Sequence, residues 1–443
     1  MNKQKLKLMK PIKLIISLSL TLCLIPLTGK AQTADSISLK SILNQVTTNY
    51  PAIRKVEQDM NAANARIGLA KSGYLPNIDI TSSYTHIGPS SSIDFPGLGA
   101  FELYPVDNYS ASLNYSQSIY DFGRTAKNIA MEKQGKGIVS LSAEQLKQRL
   151  SLGVVNLYYS IVFLQEAVKI KDEQLFTLNQ HLLFVQKKKE TGSATQYEVL
   201  TTKVRISATE NQKTDLLNSL KVQICQLNLL LGQPEKTTLV VKKELQAVLV
   251  INSTDSLLTV ATKTRKELQI AQQKTDMASL RLKVVGTQNN PSFNFYASGG
   301  IKDGYEPKLY NGIWNYAVGV GLKIPLYDGN HTKYNQLQVQ ADIQSDKEDI
   351  ELARRNIVNE VVESQANMQS ALQKISQSEL QLQQAKDAYA LAETSFKSGV
   401  ITNLELLDSS TSLSEAGLSK LKSNIDYSLS LFKLKLALGE QIY

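Results

Sequence analysis

Two long segments of this chain align with each other without a gap, 207 positions apart. Tyr120-Asp121 recurs as Tyr327-Asp328, and Val154-Val155 recurs as Val361-Val362. Gly192, Thr195, Glu198 and Leu200 recur as Gly399, Thr402, Glu405 and Leu407. Leu229, Leu231 and Gly232 recur as Leu436, Leu438 and Gly439. Matches at both ends and in the middle of one register mark an internal duplication, so the fold must be built from one unit used twice. Upstream the register drifts: Pro76 corresponds to Pro291, an offset of 215, so the first copy carries an eight-residue expansion before Tyr120. We divide the chain into a leader over 1–31, a first repeat over 32–240 and a second over 241–443.

Each copy opens on a helical stretch, roughly 39–72 and 256–285, and then changes period. In 76–87, Ile78, Ile80 and Tyr84 alternate with Asp79, Thr81 and Ser83. In 108–120, Tyr109, Ala111, Leu113, Tyr115 and Ile119 alternate with serines and Asn114. The second copy repeats the pattern over 291–301 and 313–326, where Trp314, Tyr316, Val318, Val320 and Leu322 face one way. These are four period-2 strands. The connection 88–106 is rich in Ser, Gly and Pro and reads as a loop.

The period then becomes helical and stays so. Residues 121–189 and 329–397 contain no proline, and their apolar residues recur at steps of three, four or seven. Such runs imply coiled-coil-like packing, and at 1.5 Å per residue each would reach roughly 100 Å. A return helix follows each of two tips, near 190–195 and 397–402, and ends at Leu231-Gly232 and Leu438-Gly439.

The N-terminus is basic through Lys13, apolar from Leu14 to Leu27, and reaches small residues at Gly29-Lys30-Ala31. That is a secretory signal peptide, with maturation expected near Gln32. Removing its six lysines lowers the formal charge from +9 to about +3, so the basic balance is largely the leader's. No basic stripe suggests nucleic acid. Cys23 lies in the leader and Cys225 is then alone. No intramolecular disulfide can form, and Ile224 and Leu227 beside it suggest a buried thiol.

The strands carry an apolar face that long rods are poorly shaped to cover. Lipid is the alternative cover, and strands of about ten residues span a bilayer. An open sheet cannot span, because its edge amides lack partners in hydrocarbon. Four strands are too few to close a barrel, so the barrel must be shared between chains. Eight strands leave an interior filled by side chains, so a conduit needs three or more chains.

With these features in hand, the sequence resembles the TolC family of outer-membrane efflux channels. The resemblance rests on the duplicated units, the hairpins that feed long helices, Tyr-Asp at the strand-to-helix junctions, and "SGVITNLELLDSS" at the second tip. It implies a mainly α fold with a membrane β-barrel: a homotrimer whose twelve-stranded barrel in the outer membrane continues into a periplasmic α-helical barrel. It further implies a passive, porin-like conduit from periplasm to exterior in tripartite efflux or type I secretion. The partners implied are a periplasmic adaptor (a membrane fusion protein), an inner-membrane RND, ABC or MFS transporter, and outer-membrane lipid. The other reading is a periplasmic coiled-coil adaptor or scaffold, against which the full duplication and four lipid-type strands argue.

The tips carry the candidate site. Thr195–Glu198 and Thr402–Glu405 both fit a capping box, which gives Glu198 and Glu405 a helix-starting role. Asp408, one turn past Glu405, is needed by no cap, and the first copy has Thr201 there. By resemblance, Glu405 and Asp408 match acids that ring the periplasmic entrance, and Glu198 matches the acidic partner in the family's entrance lock; the bland reading of Asp408 is a solvated helix residue. Gly192, Ser193, Ala194, Gly399, Val400 and Ile401 resemble the family's adaptor-contact tips. A tyrosine and an arginine that help lock the family's entrance are replaced here by Phe396 and Ile401, so the same polar lock is not expected. Lys187-Lys188-Lys189 suits the helix C-terminus, with adaptor contact a secondary role. The three histidines, His86, His181 and His331, are scattered, and no catalytic, metal, cofactor or dinucleotide motif is found. Asp121 and Asp328 read as helix-start residues rather than catalytic acids.

Overall fold

The computed structural model describes residues 36–89, 92–97, 99–246, 253–305 and 308–442, and the expected leader lies outside them. The chain runs α1 (Leu39–Asn49), α2 (Pro51–Ser72), β1 (Asn77–His86), β2 (Ser92–Phe95), β3 (Gly99–Glu102), β4 (Asp107–Tyr120), α3 (Arg124–Glu190) and α4 (Gln196–Leu231). The second copy follows as α5 (Thr254–Thr264), α6 (Lys266–Val285), β5 (Ser292–Lys302), β6 (Ile313–Lys323), α7 (His331–Lys397) and α8 (Asn403–Ala437).

Each opening helix is two helices rather than one. Pro51 crowds the residue before it, so Tyr50 is extended (φ −64°, ψ 136°) and α1 stops. In the second copy the break falls at Arg265 (φ −64°, ψ 124°), where no proline intervenes. There the guanidinium is buried and donates to Glu267 at 2.9 Å, Glu360 at 2.6 Å and the Ala437 carbonyl at 3.2 Å. The break is thus bought by tertiary charge pairing.

The four long strands form one antiparallel sheet in the order β1-β4-β5-β6. Its register keeps one face apolar across all four strands: Ile80 lies opposite Leu113, Leu113 opposite Gly299, and Gly299 opposite Tyr316. The other face aligns Thr81, Ser112, Gly300 and Asn315. On the polar face, Thr81 and Ser112 hydroxyls meet at 3.0 Å, Ser83 and Ser110 at 2.7 Å, and the Asn114 amide donates to Asp79 at 3.0 Å. The apolar face is bare in the single chain, with Ile80, Trp314, Tyr316 and Val320 all exposed. Glycines relieve crowding on the polar face. A Cβ on Gly319 would sit 2.5 Å from the Tyr296 hydroxyl, and one on Gly300 only 2.1 Å from the Ala111 carbonyl oxygen. The segment 88–106 is not a plain loop: β2 and β3 pair as a small hairpin, with Phe95 and Phe101 edge to face at 5.8 Å. The strand expected to run to 326 stops at Lys323, because Pro325 has no N–H to give a ladder.

At each strand-to-helix junction the aspartate starts the helix. Asp121 accepts from the amides of Gly123 at 3.0 Å and Thr125 at 2.7 Å. Asp328 accepts from the Thr332 amide and the Asn289 side chain, both at 2.9 Å. Hydrogen bonds from Thr332 and then Asn289 hold the Asp328 carboxyl well below the usual range. Two successive left-handed residues, Phe122-Gly123 and Gly329-Asn330, turn the chain at each junction.

The helices α3 and α7 each run unbroken for 67 residues. In their lower half the helices lie side by side in the order α4-α3-α8-α7. An 18-residue stretch of α3 is apolar enough to cross a membrane, but 56% of it is buried in protein. On α3, Val154, Tyr158, Tyr159 and Ile161 pack against α1, the end of α4 and α8. The Tyr158 and Tyr159 hydroxyls donate to the carbonyls of Lys242 and Glu244, which straps the link between repeats onto the helices. Cys225 is exposed in the single chain, contrary to expectation: it lies on α4, turned away from the neighbours that bury Leu227.

Candidate functional site

The two tips share one backbone design. Gly192 (φ 76°) and Gly399 (φ 77°) take the left-handed conformation that ends α3 and α7. The Ser193 amide donates to Lys188 at 2.8 Å, and the Val400 amide to Ser395 at 2.9 Å. Both return helices then start on a complete capping box. The Glu198 carboxylate accepts from the Thr195 amide at 2.6 Å, and Glu405 from the Thr402 amide at 2.7 Å. Those Thr402 bonds, from backbone first and hydroxyl second, lower the Glu405 pKa. Gly192, Ser193, Gly399 and Val400 are exposed at the extreme end, whereas Ala194 and Ile401 are half-buried against an apolar cluster of Val185, Val199, Phe396 and Leu406.

Asp408 is not a free carboxylate. Arg205 of α4 donates to it through Nη2 at 2.7 Å and to the Thr411 hydroxyl through Nη1 at 3.2 Å. The acid that distinguishes the second tip is therefore a cross-link between the two helical hairpins. Asp408 remains 60% exposed and Arg205 29%, so solvent screens the pair.

A second cross-link lies at the start of α8, and it is buried. Asn403 is 4% exposed. Its Nδ2 donates towards the Glu198 carbonyl at 3.3 Å and the hydroxyls of Thr201 and Thr202 at 3.1 and 3.2 Å, all on α4. Its Oδ1 lies 2.6 Å from Nε2 of His181 on α3. Since the amide nitrogen already serves α4, Oδ1 must accept, and Nε2 of His181 carries the proton. Burial pushes the His181 pKa down, more than the hydrogen bond with Asn403 and the carboxylates of Glu198 and Glu393 raise it.

The His181 ring stands edge-on to Phe396 at 5.0 Å. Lys188 lies over both Phe184 and Phe396, at 5.2 and 4.9 Å from the ring centroids. Phe396 is therefore the centre of an aromatic cluster with His181 and Phe184, with Lys188 as its cation. Of the three lysines that close α3, this one does more than face the helix end.

The residues singled out from sequence thus divide. Glu198 and Glu405 are held by their own caps, Asp408 faces Arg205, and Gly192, Ser193, Gly399 and Val400 are exposed at the tips. Arg205, His181 and Asn403 were not legible as site residues. Arg205 is the lone arginine of α4, but only the fold sets it opposite Asp408. Asn403 falls just after the cap, where the first copy has Gln196.

A family model described as "Outer membrane efflux protein" matches residues 42–233 and 257–440. Outer membrane protein TolC of Vibrio cholerae is 23% identical over 407 residues, covering 91% of this chain and 90% of the relative. TolC of Escherichia coli K12 is 22% identical over 430 residues, covering 93% and 84%. Among solved structures, the Campylobacter jejuni CmeC outer membrane channel superposes with a TM-score of 0.76 at 14% identity, covering 91% of this chain and 87% of that one, which speaks to the fold alone.

Proposed function

We infer, because the chain belongs to the outer membrane efflux protein family, that it is the outer-membrane channel of an efflux or type I secretion system. The protein resides in the outer membrane, with its helical part in the periplasm. The observation that carries the reading is the four-stranded sheet. It is apolar on one face and polar on the other, and it ends on β1 and β6, each paired on one side only among the described residues, so that one edge of each is open. In hydrocarbon those edges must be paired. Pairing β1 of one copy with β6 of the next closes a ring, and three copies give twelve strands, enough for a bore.

The trimer is our proposal, and the helices support it. The row α4-α3-α8-α7 ends on α4 and α7, and both leave apolar side chains bare: Tyr197, Leu200 and Val204 on one, Leu380 and Leu391 on the other. In a ring of three these flanks would cover each other. The two family-matched segments support the division of the chain into repeats at 240/241. The tips would then gather about the axis as the periplasmic entrance. Asp408, tempered by Arg205, would favour cations there, while Glu198 and Glu405 start the return helices. The exposed Gly192, Ser193, Gly399 and Val400, with Ala194 and Ile401 behind them, would meet a periplasmic adaptor that couples the channel to an RND, ABC or MFS transporter. No chemistry is assigned to the conduit.

The test is to purify the protein from outer membranes, measure its mass in detergent, and record planar-bilayer currents. A trimeric species that conducts is expected. Recovery in the soluble periplasmic fraction, or a monomer without conductance, would sink the reading.

A further inference from the structure

His181 is the one histidine of the three that is not exposed, and it sits where all four helices of the entrance meet. It belongs to α3; its ring packs on Phe396 of α7; its Nε2 binds Asn403 of α8; and Asn403 in turn binds Glu198, Thr201 and Thr202 of α4. Outside this cross-link, the direct bonds between the hairpins near the tip are Arg205 to Asp408 and Thr411, and a 3.5 Å contact from Lys188 to the Phe396 carbonyl, among the described residues.

We propose that His181 is a proton-operated latch: neutral, it holds the start of α8 against α3 and α4, and protonated, it lets the second tip loosen. This rests on the reading of the tips as the channel entrance. In the neutral form Nε2–H serves Asn403 and Nδ1 is bare, so a proton arriving at Nδ1 puts a full charge among buried groups. The charged and titratable neighbours come from each packed element. On α3, Lys188 is already the cation against the Phe396 ring, and a second cation at the same ring is repelled. On α4, Glu198 attracts, but its carboxylate is engaged by the Thr195 cap. On α7, Glu393 attracts while paired with Lys397 at 2.7 Å, and Tyr389 is neutral at these pH values. On α8, Asp408 is paired with Arg205 and Glu405 with its own cap.

The direction follows from burial. Desolvation lowers the imidazole pKa in the packed tip more than Asn403, Glu198 and Glu393 raise it. The packed tip therefore keeps its full stability above the ordinary histidine value of about 6.5 and loses it progressively as pH falls from there through the lowered value of the packed imidazole. A channel that serves an exporting pump would open more readily where protons accumulate.

Two measurements on the full-length protein test this. In planar bilayers the open probability should rise about tenfold between pH 7.5 and pH 5.5 for the native chain. His181→Gln, whose amide can keep donating to Asn403, should be flat over the same range. A parallel rise in both, or none in the native channel, overturns the latch. Hydrogen exchange of the native protein, corrected for intrinsic rates, should show the amides of 403–407 losing protection at the lower pH. Unchanged protection there also overturns it, whether or not the variant folds. pH-dependent protection without any conductance would instead count against the channel reading and leave the latch standing.

Discussion

Truncating Asn403 isolates the strongest cross-link between the two tips. In Asn403→Ala, His181 Nε2–H loses its acceptor at 2.6 Å inside a largely buried site. An unsatisfied buried donor costs about 1–3 kcal/mol. The partners on α4 lose less, because Thr201 and Thr202 already donate to the Glu198 carbonyl at 3.0 and 2.8 Å and keep doing so. Their lost bonds to Asn403 add about 1 kcal/mol net. The tip is then about 2–4 kcal/mol less stable in each protomer, which raises local opening by about thirtyfold to several hundredfold. Hydrogen exchange of peptides covering 178–190 and 403–410 reads this directly. The waist around Tyr158 and Tyr159 is remote along α3, and its exchange should not move. The control is Gln196→Ala, the corresponding residue of the first copy, which is exposed and should change exchange by less than twofold. If Asn403→Ala accelerated exchange by less than twofold, or accelerated it evenly along the chain, the cross-link would not be what holds the tip.

The exposed pair beside it should act on current rather than on stability. If Asp408 faces the bore, Asp408→Asn should weaken block by multivalent cations and Arg205→Gln should strengthen it, each by about two- to fivefold for a screened pair; equal effects of the same sign would remove Asp408 from the conduction path. In the sheet, Gly300→Ala should abolish recovery from the outer membrane, because its Cβ would meet the Ala111 backbone oxygen, which cannot retreat. Gly319→Ala should be recovered at near-normal levels, since the clashing atoms belong to the Tyr296 side chain and can swing aside; equal recovery of both would show that backbone proximity is not the constraint.

Much of the architecture was legible because it is carried by periodicity. The strands announce themselves by alternation, and α3 and α7 by long runs free of proline. What stayed hidden is what depends on distant partners. Pro51 marks the first helix break, but the second rests on Arg265 reaching Glu360, 95 residues away. The hairpin of β2 and β3 is a short apolar alternation, Ile93 and Phe95 against Phe101, set among Ser, Gly and Pro that read as loop. Cys225 looked buried from its sequence neighbours, although residues adjacent on a helix point about 100° apart. The capping boxes were visible because a cap is local. The hairpin-to-hairpin bonds were not, because sequence spacing says nothing about which turn of α4 meets which turn of α8.

Those bonds also explain how the two copies differ. Asp408 corresponds to Thr201, and Asn403 to Gln196. In the fold, Asn403 binds Thr201, and Asp408 binds Arg205, whose counterpart is Ser412. Had both copies kept the first copy's residues, glutamine would face threonine and Arg205 would lack its acid; had both kept the second's, Asp408 would face a serine. A duplicated hairpin packed against its twin places unlike turns opposite each other, so a residue can improve the contact in one copy only by departing from the other. The shared Gly, Thr and Glu persist because each helix end needs them separately. Asn403, Asp408, Phe396 and Arg205 diverge where the copies meet. The contacts that hold the tips together are thus built from residues in which the copies differ, and that is where a device that opens the entrance must act.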